Sequence, residues 1–180
     1  IPVDQTPEPG QIRDINSTAI SGFMEQAGAV PVNFGIVRDD FDQLRQTLMS
    51  ALEQTDIVLI SGGSSVGTRD FTVDVLSKIP DSRVLVHGFS ISPGKPTILA
   101  RCMDKQVWGL PGQVTSAMVV VKIVVMSFIE RLKGLAGEGS LEHLTRVTAR
   151  LSRNVASAQG RRDFVRVRLE RDETQRLTAR

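Results

Sequence analysis

The sequence predicts an α/β fold: a three-layer α/β/α domain with a mostly parallel sheet, followed by the beginning of a small β domain. Helical and strand patterns alternate from residue 11 to about residue 79, which favours a parallel sheet with right-handed crossovers. The β-branched apolar run at residues 57–60 is typical of a strand buried on both faces. From about residue 138 the composition changes, and only short strand-like runs remain.

Composition limits the class of protein. The chain has 180 residues, 41% of them apolar and 23% charged, which suits one globular domain with part of a second. The single cysteine, Cys102, excludes an internal disulfide framework and a Cys-based zinc site, so we expect a cytoplasmic protein. The longest apolar run, residues 117–129, is interrupted by Lys122, and we therefore expect no membrane span.

Charge is concentrated at the C-terminal end of the chain. Residues 144–180 contain ten arginines and four acidic residues, a composition that can indicate nucleic-acid binding. However, residues 164–169 alternate between apolar residues and arginine, as in a half-exposed strand. We therefore predict that the arginines line a solvated strand face and that nucleic acid is not a partner.

The first half of the chain predicts two helices and two strands. After the proline-rich residues 1–10, Asn16 or Ser17 is a candidate N-cap for a helix that ends at Gly28. Residues 29–37 predict a strand. A second helix follows with its apolar face at Phe41, Leu44, Leu48 and Leu52, and it leads into the strand at residue 57.

The segment after that strand predicts an anion site. Residues 61–67 read Ser-Gly-Gly-Ser-Ser-Val-Gly, and a helical pattern starts beyond Asp70. Glycines permit close backbone approach, and a strand–loop–helix junction directs N–H groups at an anion such as a phosphate. The spacing fits neither the P-loop nor the dinucleotide fingerprint. A tight turn with no ligand is the alternative interpretation.

The next segment predicts a strand, a rigid loop, a hairpin and the longest helix. The strand covers residues 83–89, and two prolines then hold the loop that presents Lys95. Strands at residues 97–101 and 106–110 predict an antiparallel hairpin at the edge of the sheet. Pro111, Gly112 and Ser116 begin a helix that runs to about Leu132, and this junction is a second possible anion site.

The C-terminal part predicts a separate unit. Residues 137–140 form a glycine-rich linker, and strand-like runs at residues 144–151 and 164–169 follow it. Two strands alone are not stable in water. We therefore place a domain boundary at residue 137, with a domain at residues 1–137 and a linker with an incomplete β domain at residues 138–180.

Five phrases in this order resemble one known family. They are Gly-Gln-Ile-Arg-Asp-Ile-Asn at residues 10–16, Gly-Ile-Val-Arg-Asp-Asp at residues 35–40, the loop at residues 61–67, Pro-Gly-Lys-Pro at residues 93–96 and Gly-Leu-Pro-Gly at residues 109–112. Together they resemble the molybdopterin molybdenumtransferases, the MoeA and gephyrin E-domain group. The resemblance implies a MogA/MoeA-like molybdopterin-binding domain with a β domain after it.

The resemblance also implies a reaction and its participants. Members of the group convert adenylylated molybdopterin and molybdate, or tungstate, into the metal cofactor and AMP, with Mg²⁺ assisting, and the full-length enzymes are homodimers. For this chain the resemblance implies that Asp39 and Asp70 are catalytic residues and Mg²⁺ ligands. The implied molybdopterin- and phosphate-binding residues are Asp14, Asn16, Ser61, Gly62, Gly63, Ser64, Ser65, Gly67, Pro93, Gly94, Lys95, Pro111, Gly112 and Ser116.

Several of these residues have a structural alternative. Asp14 and Asn16 can equally cap a helix or contact the pterin, and Asp39 and Asp70 can be a cap or a first-turn acid. Lys95 can be a solvated turn lysine. Asp40 is the better candidate for the cap of its helix.

The chain departs from the family pattern in two ways. The family has a strand ahead of the lead-in, so the resemblance implies that the first strand of the domain is missing here. The family also has two lysines where this chain has Gly88 and Ser92. The alternatives to an insertase are therefore a non-catalytic molybdopterin- or nucleotide-binding module, and a partner-recruiting assembly domain of the same fold.

Overall fold

A computed structural model of the chain describes residues 1–62, 71–134 and 146–180. Its helices are α1 (Ile15–Gln26), α2 (Phe41–Gln54), α3 (Phe71–Leu76), α4 (Val114–Val120) and α5 (Met126–Leu132), with a π-helical turn at Val121–Val125 that joins the last two. Its strands are β1 (Ile57–Ser61), β2 (Arg83–His87), β3 (Ile91–Ser92), β4 (Ile98–Cys102), β5 (Lys105–Leu110), β6 (Arg150–Leu151), β7 (Arg162–Asp163), β8 (Leu169–Arg171) and β9 (Leu177–Ala179).

Local capping starts both early helices. The Asp14 carboxylate accepts a hydrogen bond from the Ser17 N–H at 3.0 Å, so the cap of α1 lies two to three residues before the predicted caps Asn16 and Ser17. Asp40 caps α2 by accepting from the Gln43 N–H at 2.8 Å, which confirms that prediction. A carboxylate in this position satisfies an N–H group that has no partner inside the helix.

The main sheet has the order β1-β5-β4-β2. β5 is parallel to β1, while β4 is antiparallel to both β5 and β2. Three of these four strands therefore point the same way, which confirms the mostly parallel sheet. The predicted β4–β5 hairpin exists, but it lies inside the sheet rather than at its edge, because β2 pairs with the outer side of β4.

Helices cover both faces of this sheet. On one face α2 and α3 pack against alternate strand residues in a core that includes Leu52, Leu76 and Val107. On the other face α1, α4 and α5 pack around Trp108. Trp108 is 2% exposed and Cys102 is fully buried, so both belong to the core. The three-layer prediction is confirmed.

The predicted strand at residues 29–37 is absent. These residues form no ladder, and the backbone bond at their start runs from the Ala29 N–H to the Met24 carbonyl of α1. Val30, Val32 and Ile36 are 89%, 52% and 52% exposed. The segment has the period-two apolar pattern of a strand, but a strand also needs a hydrogen-bonding partner, and the described residues supply none.

The C-terminal residues are more ordered than the sequence predicted. β6, β9 and β8 form a three-stranded sheet, and β7 pairs in parallel with β3 of the first domain. Residues 164–168 form no strand, which corrects that prediction. A β8–β9 hairpin was missed; its turn is held by the Asp172 carboxylate, which accepts from the Thr174 and Arg176 N–H groups.

The domain boundary at residue 137 lies outside the described residues and stays a prediction. Within the described ranges, no helix is both long enough and apolar enough to cross a bilayer.

Candidate functional site

The topology brings the predicted loops to one edge of the main sheet, which we call the carboxyl edge. β1, β5 and β2 all end there, and β4 starts there, since Gly109 pairs with both Ile60 and Ile98. The loops that meet at this edge follow Ser61, join β5 to α4, and join β2 to β4. Ligands of open α/β sheets bind at this end of the strands.

Asn16 connects three of these segments. From the first turn of α1, its Nδ2 donates to Ser61 Oγ at 2.5 Å and to the Gly112 carbonyl at 2.9 Å. The amide thus holds the start of α1, the end of β1 and the loop after β5 together. Its Oδ1 is buried and has no partner among the described residues, and a buried acceptor of this kind costs free energy unless something donates to it.

Gly62 and Gly112 bring two loop backbones into contact. The Gly62 N–H donates to the Leu110 carbonyl at 3.3 Å, and Gly62 has a φ of +104°, which a side chain would strain. A Cβ built on Gly112 would lie 3.5 Å from Gly62 Cα. The backbones of Gly62 and of the loop after β5 therefore pack against each other at the carboxyl edge.

The start of α4 differs from the prediction in its detail. Gln113 caps this helix, and its Oε1 accepts from both the N–H and the hydroxyl of Ser116, at 2.7 and 2.8 Å. The N–H and the hydroxyl of Ser116, a residue that the resemblance assigned to substrate binding, therefore already donate to a side chain at the start of the same helix. Sequence reasoning missed Gln113 because glutamine is not among the preferred N-caps.

The predicted carboxylates lie beside a large cavity. A trough of about 1030 Å³, lined by residues from 1 to 62 and by several later ones, contains Asp14, Asn16, Asp39, Ser61 and Gly112 on its walls. Asp39 is exposed, whereas Asp14 also accepts a hydrogen bond from the Ser17 hydroxyl and serves as a helix cap. Of the two, Asp39 is the carboxylate that remains open to a ligand.

The loop between β2 and β4 is held by its own backbone. The Phe89 N–H donates to the Lys95 carbonyl, and the Gly88 N–H donates to the Thr97 carbonyl, both at 2.9 Å. Gly94 is buried with a φ of +120°, and the Thr97 hydroxyl donates to its carbonyl at 2.6 Å. The Ser92–Pro93 peptide bond is cis. This framework presents the exposed Lys95 side chain at the carboxyl edge.

The C-terminal segment adds charge to that loop. The Arg162 N–H donates to the Ser90 carbonyl at 2.9 Å, and the Phe164 N–H donates to the Ser92 carbonyl at 2.7 Å. Asp163 accepts from the Ser157 hydroxyl at 2.5 Å, and its Oδ1 lies 2.9 Å from Arg161 Nε. The Ser157 hydroxyl, with Ser92 and Arg161, holds the pKa of Asp163 below its usual range.

Comparisons with known proteins agree with this architecture. The family model described as a probable molybdopterin binding domain matches residues 1–131. The chain belongs to the molybdopterin-binding domain family.

Individual relatives give the same result. A Methanocaldococcus jannaschii protein named for molybdopterin biosynthesis is 36% identical over 162 residues, which are 89% of this chain and 37% of that protein. The molybdopterin molybdenumtransferase of Nostoc is 34% identical over 139 residues, or 76% of this chain and 32% of the enzyme. The structure of a MoeA protein from Pyrococcus horikoshii matches 99% of this chain and 41% of its own, with 32% identity and a TM-score of 0.79. The chain thus spans about a third of the length of these curated relatives.

In this molybdopterin-binding domain the predicted site has two parts. Asn16, Ser61, Gly62 and Gly112 lie at β1 and β5, while Lys95 is on the loop that leads into β4. Because β4 is next to β5 and two strands from β1, and neighbouring strands are about 4.8 Å apart, the two parts are about 5–10 Å apart across the sheet. A ligand that uses both parts would have to span this distance.

Part of the prediction lies outside the described residues. This applies to Gly63, Ser64, Ser65, Gly67 and Asp70, whose proposed roles stay predictions. In the ranges 1–62, 71–134 and 146–180, no three His, Cys, Asp or Glu side chains converge on a point where they could hold a metal ion. Because Asp70 lies outside the described residues, Asp39 is the one predicted metal ligand whose position the structure gives.

Proposed function

We propose that this chain is the molybdopterin-binding part of an enzyme that inserts molybdate, or tungstate, into adenylylated molybdopterin and releases AMP. The observation that supports this most is the Asn16 junction. It joins the start of α1, the end of β1 and the loop after β5 at the carboxyl edge, in a chain that belongs to the molybdopterin-binding domain family. Because ligands of open α/β sheets bind at this end of the strands, the phosphate-bearing substrate is proposed to bind at this edge.

The second part of the site supplies positive charge. Lys95 is exposed on a rigid loop, and the β3–β7 pairing places the exposed Arg162 opposite Ile91 and Asp163 opposite Ser92, with Arg161 paired to Asp163. Arg162 is therefore one residue along the ladder from the position of Ser92, one of the two positions, with Gly88, where the resemblance implies lysine. We propose that Lys95 and the arginines together hold the anionic end of the substrate or the oxyanion, with charge-assisted hydrogen bonds.

Mg²⁺ is the proposed metal, and carboxylate oxygen is the ligand that it prefers. Asp39 fits this role because it is exposed on the wall of the trough that Ser61 and Asn16 also line. Mg²⁺ sites commonly use one or two carboxylates together with substrate phosphates, so Asp39 with Asp70 is a sufficient protein set. When bound, the metal would neutralise phosphate charge as AMP leaves.

The finer properties of the enzyme are also proposals. We propose a cytoplasmic homodimer that acts on a small molecule and binds neither membrane nor nucleic acid. Cys102 is the single cysteine, and burial raises the pKa of its thiol. A single buried thiol supports a reducing compartment. β6 and β8 are the edge strands of the C-terminal sheet, and their outer backbone groups could pair with further polypeptide, such as that of a second subunit.

The decisive experiment is an AMP-release assay on the full-length protein with adenylylated molybdopterin, Mg²⁺ and molybdate or tungstate. We expect AMP release that depends on the oxyanion, and we expect it to fall at least about tenfold in Asp39→Asn. Arg161→Gln and Arg162→Gln should raise the oxyanion concentration needed for half-maximal release. Arg166→Gln, an exposed arginine on the same segment, is the matched control and should behave like the wild type.

The absence of lysine at positions 88 and 92 favours one second candidate, a domain that binds molybdopterin without catalysing insertion. Gly88 and Ser92 remove two positive charges from the loop that contains Lys95. Titration of the full-length protein with molybdopterin separates the candidates. Tight molybdopterin binding without oxyanion-dependent AMP release would support the binding module and contradict the insertase.

A further inference from the structure

Asp163 is a largely covered carboxylate in an arginine-rich segment. Its side chain is 11% exposed, whereas the side chains of Arg168 and Glu170, which form another ion pair on the same segment, are 84% and 42% exposed. Removing a carboxylate from water costs free energy unless donors take up its oxygens. The donors around Asp163 therefore show what this carboxylate holds in place.

Each oxygen of Asp163 has its own donor. Oδ2 accepts from the Ser157 hydroxyl, and Oδ1 lies 2.9 Å from Arg161 Nε. Ser92, directly across the β3–β7 ladder, also interacts with the carboxylate through its side chain. Because the protein engages both oxygens, Asp163 is better suited to hold neighbouring groups than to bind a ligand itself.

The ion pair engages one side of the Arg161 guanidinium and leaves its end open. Asp163 contacts Nε, and no second ion pair of Arg161 exists within residues 1–62, 71–134 and 146–180. The terminal nitrogens Nη1 and Nη2 therefore keep their donors for another partner. They form a planar fork, which can bind an oxyanion through two parallel hydrogen bonds.

The β3–β7 ladder joins this ion pair to the loop that contains Lys95. The Phe164 N–H donates to the Ser92 carbonyl at 2.7 Å, and Ser92 is opposite Asp163 in the register. Lys95 follows three residues later on the same loop and is exposed. Asp163 is thus the side chain that contacts both Arg161 and the Lys95 loop.

We propose that Asp163 is a positioning residue, which fixes the Arg161 guanidinium beside the Lys95 loop so that Nη1 and Nη2 face the molybdate or tungstate. A free arginine side chain loses the freedom of several rotatable bonds when it binds an anion. The ion pair with Asp163 removes part of this entropy cost before the oxyanion arrives. The inference rests on the part of the proposed function that assigns Arg161 to the oxyanion.

The test measures the affinity of the full-length protein, with molybdopterin bound, for molybdate by isothermal titration. Arg161→Gln should raise the Kd at least about tenfold, because it removes a charge-assisted contact. Asp163→Asn should raise it about three- to tenfold, because asparagine has no charge and offers one acceptor oxygen where Ser157 and Arg161 now use two. Glu170→Gln, which removes the partner of the exposed Arg168, is the matched control and should leave the Kd within about twofold.

A double variant shows whether Asp163 acts through Arg161. In a protein that already carries Arg161→Gln, the further change Asp163→Asn should alter the Kd by less than about twofold. Additive effects of the two substitutions would overturn the proposal. An unchanged Kd in Asp163→Asn, or a wild-type protein that does not bind molybdate, would also overturn it.

Ser157→Ala separates positioning from a general loosening of the segment. It removes the other hydrogen-bond donor to Asp163 but leaves the ion pair with Arg161, so its Kd should stay within about twofold of the wild type. A rise equal to that of Asp163→Asn would indicate a structural role only and would overturn the proposal.

These affinities need no turnover, so the inference and the reaction fail separately. The expected pattern of Kd values without AMP release would support the positioning role and contradict the proposed insertion reaction. Oxyanion-dependent AMP release with an unchanged Kd in Asp163→Asn would support the reaction and overturn the positioning role.

Discussion

Replacing Asn16 by alanine tests the junction on which the site depends. The change removes two hydrogen bonds, to Ser61 Oγ and to the Gly112 carbonyl, each of which contributes about 1 kcal/mol. It also removes the buried Oδ1 that lacks a described partner, and alanine favours the helix by about 0.6 kcal/mol. These gains offset part of the loss, so we expect a net fall in the free energy of unfolding of about 1–1.5 kcal/mol.

Thermal unfolding measures this change directly. For a chain of this length, 1 kcal/mol corresponds to about 2–4 °C in Tm, so Asn16→Ala should melt about 3–5 °C below the wild type. Asn16→Asp keeps the size of the side chain but faces the Gly112 carbonyl with a charged acceptor, and it should be less stable than Asn16→Ala. Thr18→Ala, an exposed position on the same helix, is the control and should change Tm by less than about 2 °C.

Ligand affinity gives the second measurement for the same variants. If Asn16 holds the backbone surface that binds the substrate, molybdopterin affinity should fall in Asn16→Ala even at temperatures where the variant is fully folded. A variant that melts like the wild type would refute the energetic reasoning. A destabilised variant with unchanged molybdopterin affinity would refute the role of the junction in the site.

Three further predictions concern other contacts. Gly94→Ala should cost about 2–4 kcal/mol, because its Cβ would lie 2.6 Å from Val120 Cγ2 at a φ of +120°; Gly22→Ala, with open space around it, should melt no lower than the wild type. Lys105→Met should lower Tm by about 2–4 °C, because Lys105 Nζ donates to the Leu52 carbonyl near the end of α2; an unchanged Tm would exclude this capping role. Because the pKa of Asp163 is lowered, its stabilisation of the β3–β7 contact is present above pH about 4 and lost as the pH falls through the folded-state pKa; amide exchange at residues 162–164 should quicken in acid, and an equal acid effect in Asp163→Asn would contradict the assignment.

Local chemistry made much of the fold predictable. Asp40 caps α2 through a contact three residues away, and Gly28 ends α1 with a φ of +75°. Neither feature depends on distant parts of the chain, so the sequence alone indicates it. Even the error at Asp14 is local, because three polar residues, Asp14, Asn16 and Ser17, offered competing caps within one turn.

The shared edge of the site was also predictable from the sequence. Alternating helices and strands require parallel neighbours, and parallel strands end at the same edge of the sheet. This places Ser61 and Gly62 near Pro111–Gly112 without knowledge of their contacts, whereas the strand expected to carry Asp39 to the same edge does not form. The partners within the edge were not predictable, since Asn16 reaches Ser61 and Gly112 across 45 and 96 residues.

What only the tertiary structure decided is the pairing of strands. Residues 29–37 have a strand pattern but form none, whereas Arg162–Asp163 has no such pattern and pairs with β3. A strand is completed by hydrogen bonds to a neighbour that can lie anywhere in the chain, so its side-chain pattern shows which face would be buried and not whether a partner is present. The sequence by itself therefore determined the layers, the cap of α2 and the edge shared by β1 and β5, while the structure decided which backbone segments meet there.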